Sequence, residues 1–93
     1  MAARENKVET YLDTCVKRVG GLTRKWTCPS HNGVPDRIVI IKGCTWFVEL
    51  KTCDGKLSEV QKREHIRLRD VGAKVFTLYG RDGVDEFMEQ FEC

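Results

Sequence analysis

Gly33-Val34-Pro35-Asp36-Arg37, and after a turn Phe47-Val48-Glu49-Leu50-Lys51, are the two segments on which the reading of this chain depends. The β-branched run from Arg37 to Ile41 predicts a strand. Lys42-Gly43-Cys44-Thr45 contains the turn, and Trp46 to Thr52 predicts a second strand, antiparallel to the first. Alternation puts Phe47, Glu49 and Lys51 on one face and Val48 and Leu50 on the other. Two charged residues on one face of so apolar a strand call for partners, because charged side chains are rarely buried alone. If that face looks onto a cleft also reached by Asp36, two carboxylates and an ammonium meet in a small volume.

Such a group suits hydrolysis of a phosphodiester. That reaction needs an activated water, neutralised charge on the transition state and a stabilised leaving alkoxide, and a divalent metal held by oxygen ligands supplies several of these together. Mg²⁺ takes carboxylates and carbonyls and keeps several waters, so few protein ligands suffice. Asp36 and Glu49 are suitable donors, with the backbone carbonyl of Leu50 between the side-chain positions. Lys51 can orient or deprotonate the attacking water or neutralise developing charge. Gln61 can hydrogen-bond the water or a phosphate. Each residue also has a plain reading: Pro35-Asp36 as a turn pair, Glu49 and Lys51 as a surface ion pair worth less than about 1 kcal/mol, Gln61 as a helix cap. The ordered set is harder to obtain from independent plain readings than any member of it.

On the N-terminal side, Val8, Leu12, Cys15, Val16 and Val19 recur at helical steps, predicting a helix from Arg4 to about Val19. Glu5 lies within that stripe and Glu9 at its edge. Two explanations stand for these acids: a first-turn carboxylate favoured by the helix dipole, which fits Glu5 best, or a side chain, Glu9, directed along the core edge into a site built by the strands. Gly20-Gly21 stops the helix. Leu22 to Cys28 predicts a short strand, and Pro29 to Val34 a loop at the mouth of any site near Asp36. On the C-terminal side, Ser58 caps a helix running to about Val71, with Ser58-x-x-Gln61 matching a capping box. Val60, Glu64, Leu68 and Val71 trace its inner side. Lys74 to Tyr79 predicts another strand, and Asp85 to Phe91 a closing helix. The order α-β-β-β-α-β-α, with the last strand returning beside the hairpin through a crossover, predicts an α/β core: a mixed sheet of about four strands flanked by helices.

The 93 residues fit one small domain, 1-93. A chain of this size buries only about 60% of its unfolded surface, so a partner subunit or ligand would add stability. Apolar residues make up 41% and charged residues 32%, ordinary for a globular protein. No apolar run approaches the roughly 20 residues that span a bilayer, and no secretory leader is evident, so no membrane partner is expected and the location is read as the cytoplasm of a bacterial or phage-infected cell. The net charge of +2 does not by itself announce a nucleic-acid partner. Its distribution says more, since basic residues concentrate in the first two thirds and the tail from Asp82 to Glu92 is acidic. The five cysteines include no C-x-x-C pair and read as free thiols in a reducing compartment. Cys28-Pro29-Ser30-His31 has a zinc-like C-x-x-H spacing but lacks a second pair.

Taken together, Gly33-Val34-Pro35-Asp36-Arg37, Phe47-Val48-Glu49-Leu50-Lys51 and Gly55-Lys56-Leu57-Ser58-x-x-Gln61 resemble the PD-(D/E)XK nuclease superfamily. More narrowly they resemble the virus-type replication-repair nuclease (VRR-NUC) family in its short stand-alone phage and bacterial form. Val8-Glu9-x-Tyr11-Leu12, Gly20-Gly21 and Gly72-Ala73-Lys74-Val75 extend the resemblance over nearly the whole chain. It implies a restriction-endonuclease-like core and Mg²⁺- or Mn²⁺-dependent cleavage of DNA, with no organic cofactor. By resemblance, Asp36, Glu49 and the Leu50 carbonyl hold metal, Lys51 is the catalytic lysine and Gln61 the accessory glutamine. The resemblance favours Glu9 over Glu5 as the helix acid, ligating metal directly or through water. Stand-alone members are similar to four-way-junction resolvases acting as homodimers, and a two-fold dimer offers the paired sites that paired cuts require. Arg24, Lys25, Arg37, Lys42 and Lys56 are candidate phosphate contacts. The competing expectations are a nuclease-fold DNA-binding or assembly subunit without turnover, and a nickase or exonuclease of the same superfamily.

Overall fold

The computed structural model describes the backbone of residues 2–91 and the side chains of residues 7–91. Glu5 and Cys93 therefore lie outside the described side chains. Helix α1 (Ala2–Arg18) is followed by strands β1 (Leu22–Lys25), β2 (Arg37–Ile41) and β3 (Cys44–Lys51), helix α2 (Glu59–Asp70), strand β4 (Val75–Tyr79) and helix α3 (Gly80–Met88), which ends in a 3₁₀ turn over Glu89–Phe91. The strands form one sheet in the order β1-β2-β3-β4. The first two pairings are antiparallel and β3-β4 is parallel, with α2 as the crossover. The sheet is thus mixed and four-stranded, as the sequence predicts.

The hairpin turn is tighter than expected. Ile41 pairs with Cys44, leaving only Lys42 and Gly43 to turn the chain, both at positive φ (51° and 82°), as a primed two-residue turn requires. Strand β3 accordingly starts two residues before Trp46. At the other end β1 is shorter than expected. The Trp26 N–H donates once more, to the Asp36 carbonyl at 2.8 Å, and the chain then leaves the sheet toward Pro29, which has no N–H to offer a ladder.

The two faces of the sheet differ in chemistry. Val39 and Ile41 of β2 with Trp46, Val48 and Leu50 of β3 are buried against Val8, Leu12 and Val16 of α1 and Val84, Phe87 and Met88 of α3. Trp46, Phe87 and Phe91 pack edge to face. The other face carries Ile38 opposite Phe47 and Glu49 opposite Thr77, and α2 covers part of it. Because α2 lies over polar side chains, its inward side is polar as well. Glu64 and His65 are buried, while Val71 and Val60, expected inside, are 83% and 43% exposed. Leu68 is half-buried on the inner side.

Helix α3 begins at Gly80, directly after β4, rather than at Asp85. Gly80 looks like a loop residue in the sequence, but the helix needs it there. A Cβ at that position would lie 2.6 Å from Cys53 Sγ, and its φ of +66° disfavours any side chain.

Candidate active site

The end of the β2-β3 hairpin away from its turn gathers the polar groups. Continuing the β2-β3 register, Leu50 falls opposite Pro35, just beyond the paired residues. Its N–H therefore needs another acceptor, and Asp36 Oδ2 takes it at 3.1 Å. A residue in an extended strand directs its own N–H and C=O toward the same edge, so the Leu50 carbonyl faces the side occupied by Asp36. Pro35, itself buried, sets the preceding backbone and with it the start of the strand.

Glu49 projects from the opposite face to Leu50 and is only 5% exposed. Its Oε2 accepts a hydrogen bond from Gln61 Nε2 at 3.2 Å and lies 3.9 Å from Lys51 Nζ. The amide of Gln61 does two things at once. Ser58 Oγ accepts from the Gln61 N–H at 3.1 Å, and Gln61 Oε1 accepts from the Ser58 N–H at 2.9 Å, so the capping box is complete. Since the box requires the amide oxygen on the Ser58 side, the NH₂ is directed to Glu49. The capping and site readings of Gln61 are one geometry.

One turn beyond Gln61, His65 is fully buried, with Nε2 3.9 Å from Glu49 Oε1. Neither ring nitrogen has a hydrogen-bond partner among the described residues. Burial holds its imidazole below the ordinary histidine range, helped by the Arg69 guanidinium and opposed by the Asp36 and Glu64 carboxylates. His65 thus sits beside the carboxylate as a neutral ring.

Asp36, Glu49 and Gln61 share the wall of a cleft of about 530 Å³ with Lys25, Trp26 and His31. Trp26 packs on Phe47 with ring centroids 5.1 Å apart. Two carboxylates near a backbone carbonyl, open to a cleft, suit Mg²⁺ or Mn²⁺, which accept few protein oxygens and keep waters. Among the described residues no three His, Cys, Asp or Glu side chains gather as a metal cage. The C-x-x-H pair does not converge on one, because His31 is bonded to Glu64 instead.

No family model matches the chain. A protein of Acyrthosiphon pisum secondary endosymbiont phage 1, named "Putative nuclease p44", is 39% identical over 80 residues, covering 85% of this chain and 86% of that protein. A solved structure described as a VRR_NUC domain superposes with a TM-score of 0.87 at 36% identity, over 96% of this chain and 98% of its own. The chain belongs to the VRR-NUC family.

Within this VRR-NUC fold, the structure brings Asp36, Glu49, Lys51 and Gln61 to one place and treats the remaining sequence candidates differently. Glu9 of α1 pairs with Arg37, its Oε1 3.4 Å from Arg37 Nη2, and Asp13 reaches the same nitrogen at 3.6 Å. The Arg37 side chain is only 12% exposed. Arg37 alternates onto the α1 side of the sheet, so it clamps helix to strand and does not stand open to a phosphate. Lys42 sits in the hairpin turn at the opposite end of β2 from Asp36, about 20 Å away at the rise of a strand. Arg24 is exposed and donates to the Thr23 carbonyl at 2.7 Å. Lys25 and Lys56 are exposed on the side of the cleft and of the loop entering α2. Sequence reasoning placed Glu64 on the inner side of α2, where it is buried, and read His31 only through its C-x-x-H spacing. It missed His65, which stands four residues after Gln61, the spacing that shares one helix face.

Among the described residues, no helix is long and apolar enough to cross a membrane.

Proposed function

We propose that this VRR-NUC protein is a divalent-metal-dependent DNA endonuclease, selective for branched DNA of the four-way-junction type and active as a homodimer. The observation that carries it is the pairing of Asp36, fastened to the Leu50 N–H, with a buried Glu49 flanked by Lys51 on the next residue pair of the same hairpin. Asp36, Glu49 and the Leu50 carbonyl would hold Mg²⁺ or Mn²⁺, which when bound neutralises phosphate charge and acidifies water. Lys51 lies within ion-pair distance of Glu49 and is 17% exposed, so its ammonium can reach the cleft without leaving the carboxylate. It orients the attacking water or takes its proton, and it balances the charge that develops on the phosphoryl oxygens. Gln61 keeps Glu49 in the rotamer that faces the cleft. Glu9 serves the site from one layer out, holding Arg37, the chain neighbour of Asp36.

DNA shape and backbone contacts would set the substrate. Lys25, Arg24 and Lys56 are the exposed cations best placed for that contact. A two-fold dimer would present two such clefts to a branched duplex.

The test is to incubate end-labelled four-way junction, flap and linear duplex with the protein in Mg²⁺, Mn²⁺ or EDTA, and to measure its mass in solution. Metal-dependent paired incisions in the junction, and a dimer mass, are expected. Junction binding with no product in either metal would overturn the nuclease reading; equal cutting of linear duplex would overturn junction selectivity; a monomer mass would overturn the dimer.

A further inference from the structure

The loop between β1 and β2 is fastened to α2 at two points, and one of them is built from titratable groups. His31 Nε2 lies 2.8 Å from Glu64 Oε1, with the imidazole 52% exposed and the carboxylate 8%. The second point is Gly33, at φ +90°, where a Cβ would lie 2.8 Å from the Val60 carbonyl oxygen. Between them they set an exposed histidine on the wall of the cleft that Asp36, Glu49 and Gln61 also line.

We propose that His31 is a substrate-binding residue, oriented by the buried carboxylate of Glu64 so that its protonated imidazole contacts a DNA phosphate at the mouth of the cleft. This rests on the DNA reading of the same site and extends it to a residue outside the acid-lysine group.

The chemistry follows from which nitrogen faces Glu64. A carboxylate only accepts, so Nε2 carries a proton and donates to it. In the neutral ring the other nitrogen, Nδ1, then presents a bare lone pair, which repels a phosphate oxygen. A second proton turns Nδ1 into a donor and adds a positive charge where a phosphate would lie. Glu64, itself nearly buried, fixes the ring through this bond. Arg67 Nη1 shares the same Glu64 oxygen at 3.2 Å, so the carboxylate stays compensated when the ring is neutral and the loop does not depend on the proton. The other charged groups facing the cleft are Lys25, Asp36 and Glu49. Lys25 adds to the attraction for phosphate, whereas the two carboxylates oppose it. The contact is therefore an added, pH-gated phosphate site at the rim, and Glu64 is its positioning residue.

The experiment measures binding of a fluorescently labelled four-way junction in EDTA, which removes turnover, by anisotropy across a salt series at about pH 6 and about pH 8, bracketing imidazole titration. The wild-type chain and His31→Gln are compared, with folding verified by thermal melts. One extra phosphate contact steepens the slope of log affinity against log salt by about 1. The wild type is expected to show that steepening, with tighter binding, at the lower pH. His31→Gln is expected to give the same slope at both. Steepening that survives in His31→Gln, or its absence from the wild type, overturns the assignment while leaving DNA binding established. No binding of DNA by the wild type at either pH overturns the DNA reading and this site with it.

Discussion

Gln61→Glu separates the two tasks that the structure gives one side chain. Glutamate is as good a capping-box residue as glutamine, so its carboxylate keeps the bond from the Ser58 N–H. Its second oxygen then replaces the Nε2 donor and meets Glu49 Oε2 at the present 3.2 Å separation. A hydrogen bond to a charged group, worth about 1.5–3 kcal/mol, is lost. Like charges so close cannot both stay ionised in a buried site, and one carboxyl of the pair takes a proton. A loss of about 2–4 kcal/mol of stability is expected at pH 8, from the lost bond plus the cost of protonating one acid there. The sign with pH follows: the pair's upper folded pKa is raised above the unfolded carboxylate value, so the deficit is full above the raised value and shrinks as pH falls toward the ordinary carboxylate range. Urea unfolding of wild type, Gln61→Glu and Gln61→Ala at about pH 8 and about pH 5.5 reads this out. Gln61→Ala loses the cap and the donor together, yet places no charge against Glu49, so its deficit should be nearly independent of pH. Junction cutting should fall at least tenfold in both variants. If Gln61→Glu matches the wild type in stability and cutting at pH 8, Gln61 is a cap and nothing more.

Other outcomes follow from the same geometry. Asp36→Asn keeps an acceptor for the Leu50 N–H, so the melting temperature should stay within a few degrees of wild type while cutting falls by 10²-fold or more; wild-type rates would remove Asp36 from the metal set. Lys51→Ala should behave likewise in cutting, and the test is single-turnover incision with saturating Mg²⁺. His65 is held below its ordinary value in the fold, so folding stability should decline as pH falls below about 6.5, by up to about 1.4 kcal/mol per pH unit. His65→Phe should remove that part of the slope, and parallel stability curves for the two proteins would contradict a neutral buried ring. Arg37→Met leaves Glu9 and Asp13 facing each other without their guanidinium. It should cost about 1–3 kcal/mol by chemical denaturation, and the loss should be smaller when Glu9→Gln is added.

Much of the site was legible before any fold was known because its signals are local. Strand alternation alone requires Glu49 and Lys51 to share a face, the Ser58-x-x-Gln61 spacing marks the helix start, and Pro35-Asp36 stands at a strand entrance. Where local signals conflicted with packing, packing won. Val60 and Val71 share with Glu64 the spacing of an inward face, yet beside Glu64 it is Gln61 and His65 that α2 turns inward, because the sheet beneath it carries Glu49. Gly80 and Arg81-Asp82 precede the expected closing helix, yet they form the first turn of α3, with Gly80 at a φ of +66° beside Cys53.

By itself the sequence determined the α-β-β-β-α-β-α order, the pairing of β2 with β3 and the identity of the acid-lysine group, since periodicity, turn chemistry and capping act over a few residues. Only the tertiary structure decided which groups meet across long separations: Glu9 and Asp13 with Arg37, Gln61 and His65 with Glu49, and His31 with Glu64. Those contacts depend on how helices lie on the sheet, which is set by burial of the whole core. Asp36 and Glu49 were visible from the start, but the sheet edge and α2 determine what surrounds them.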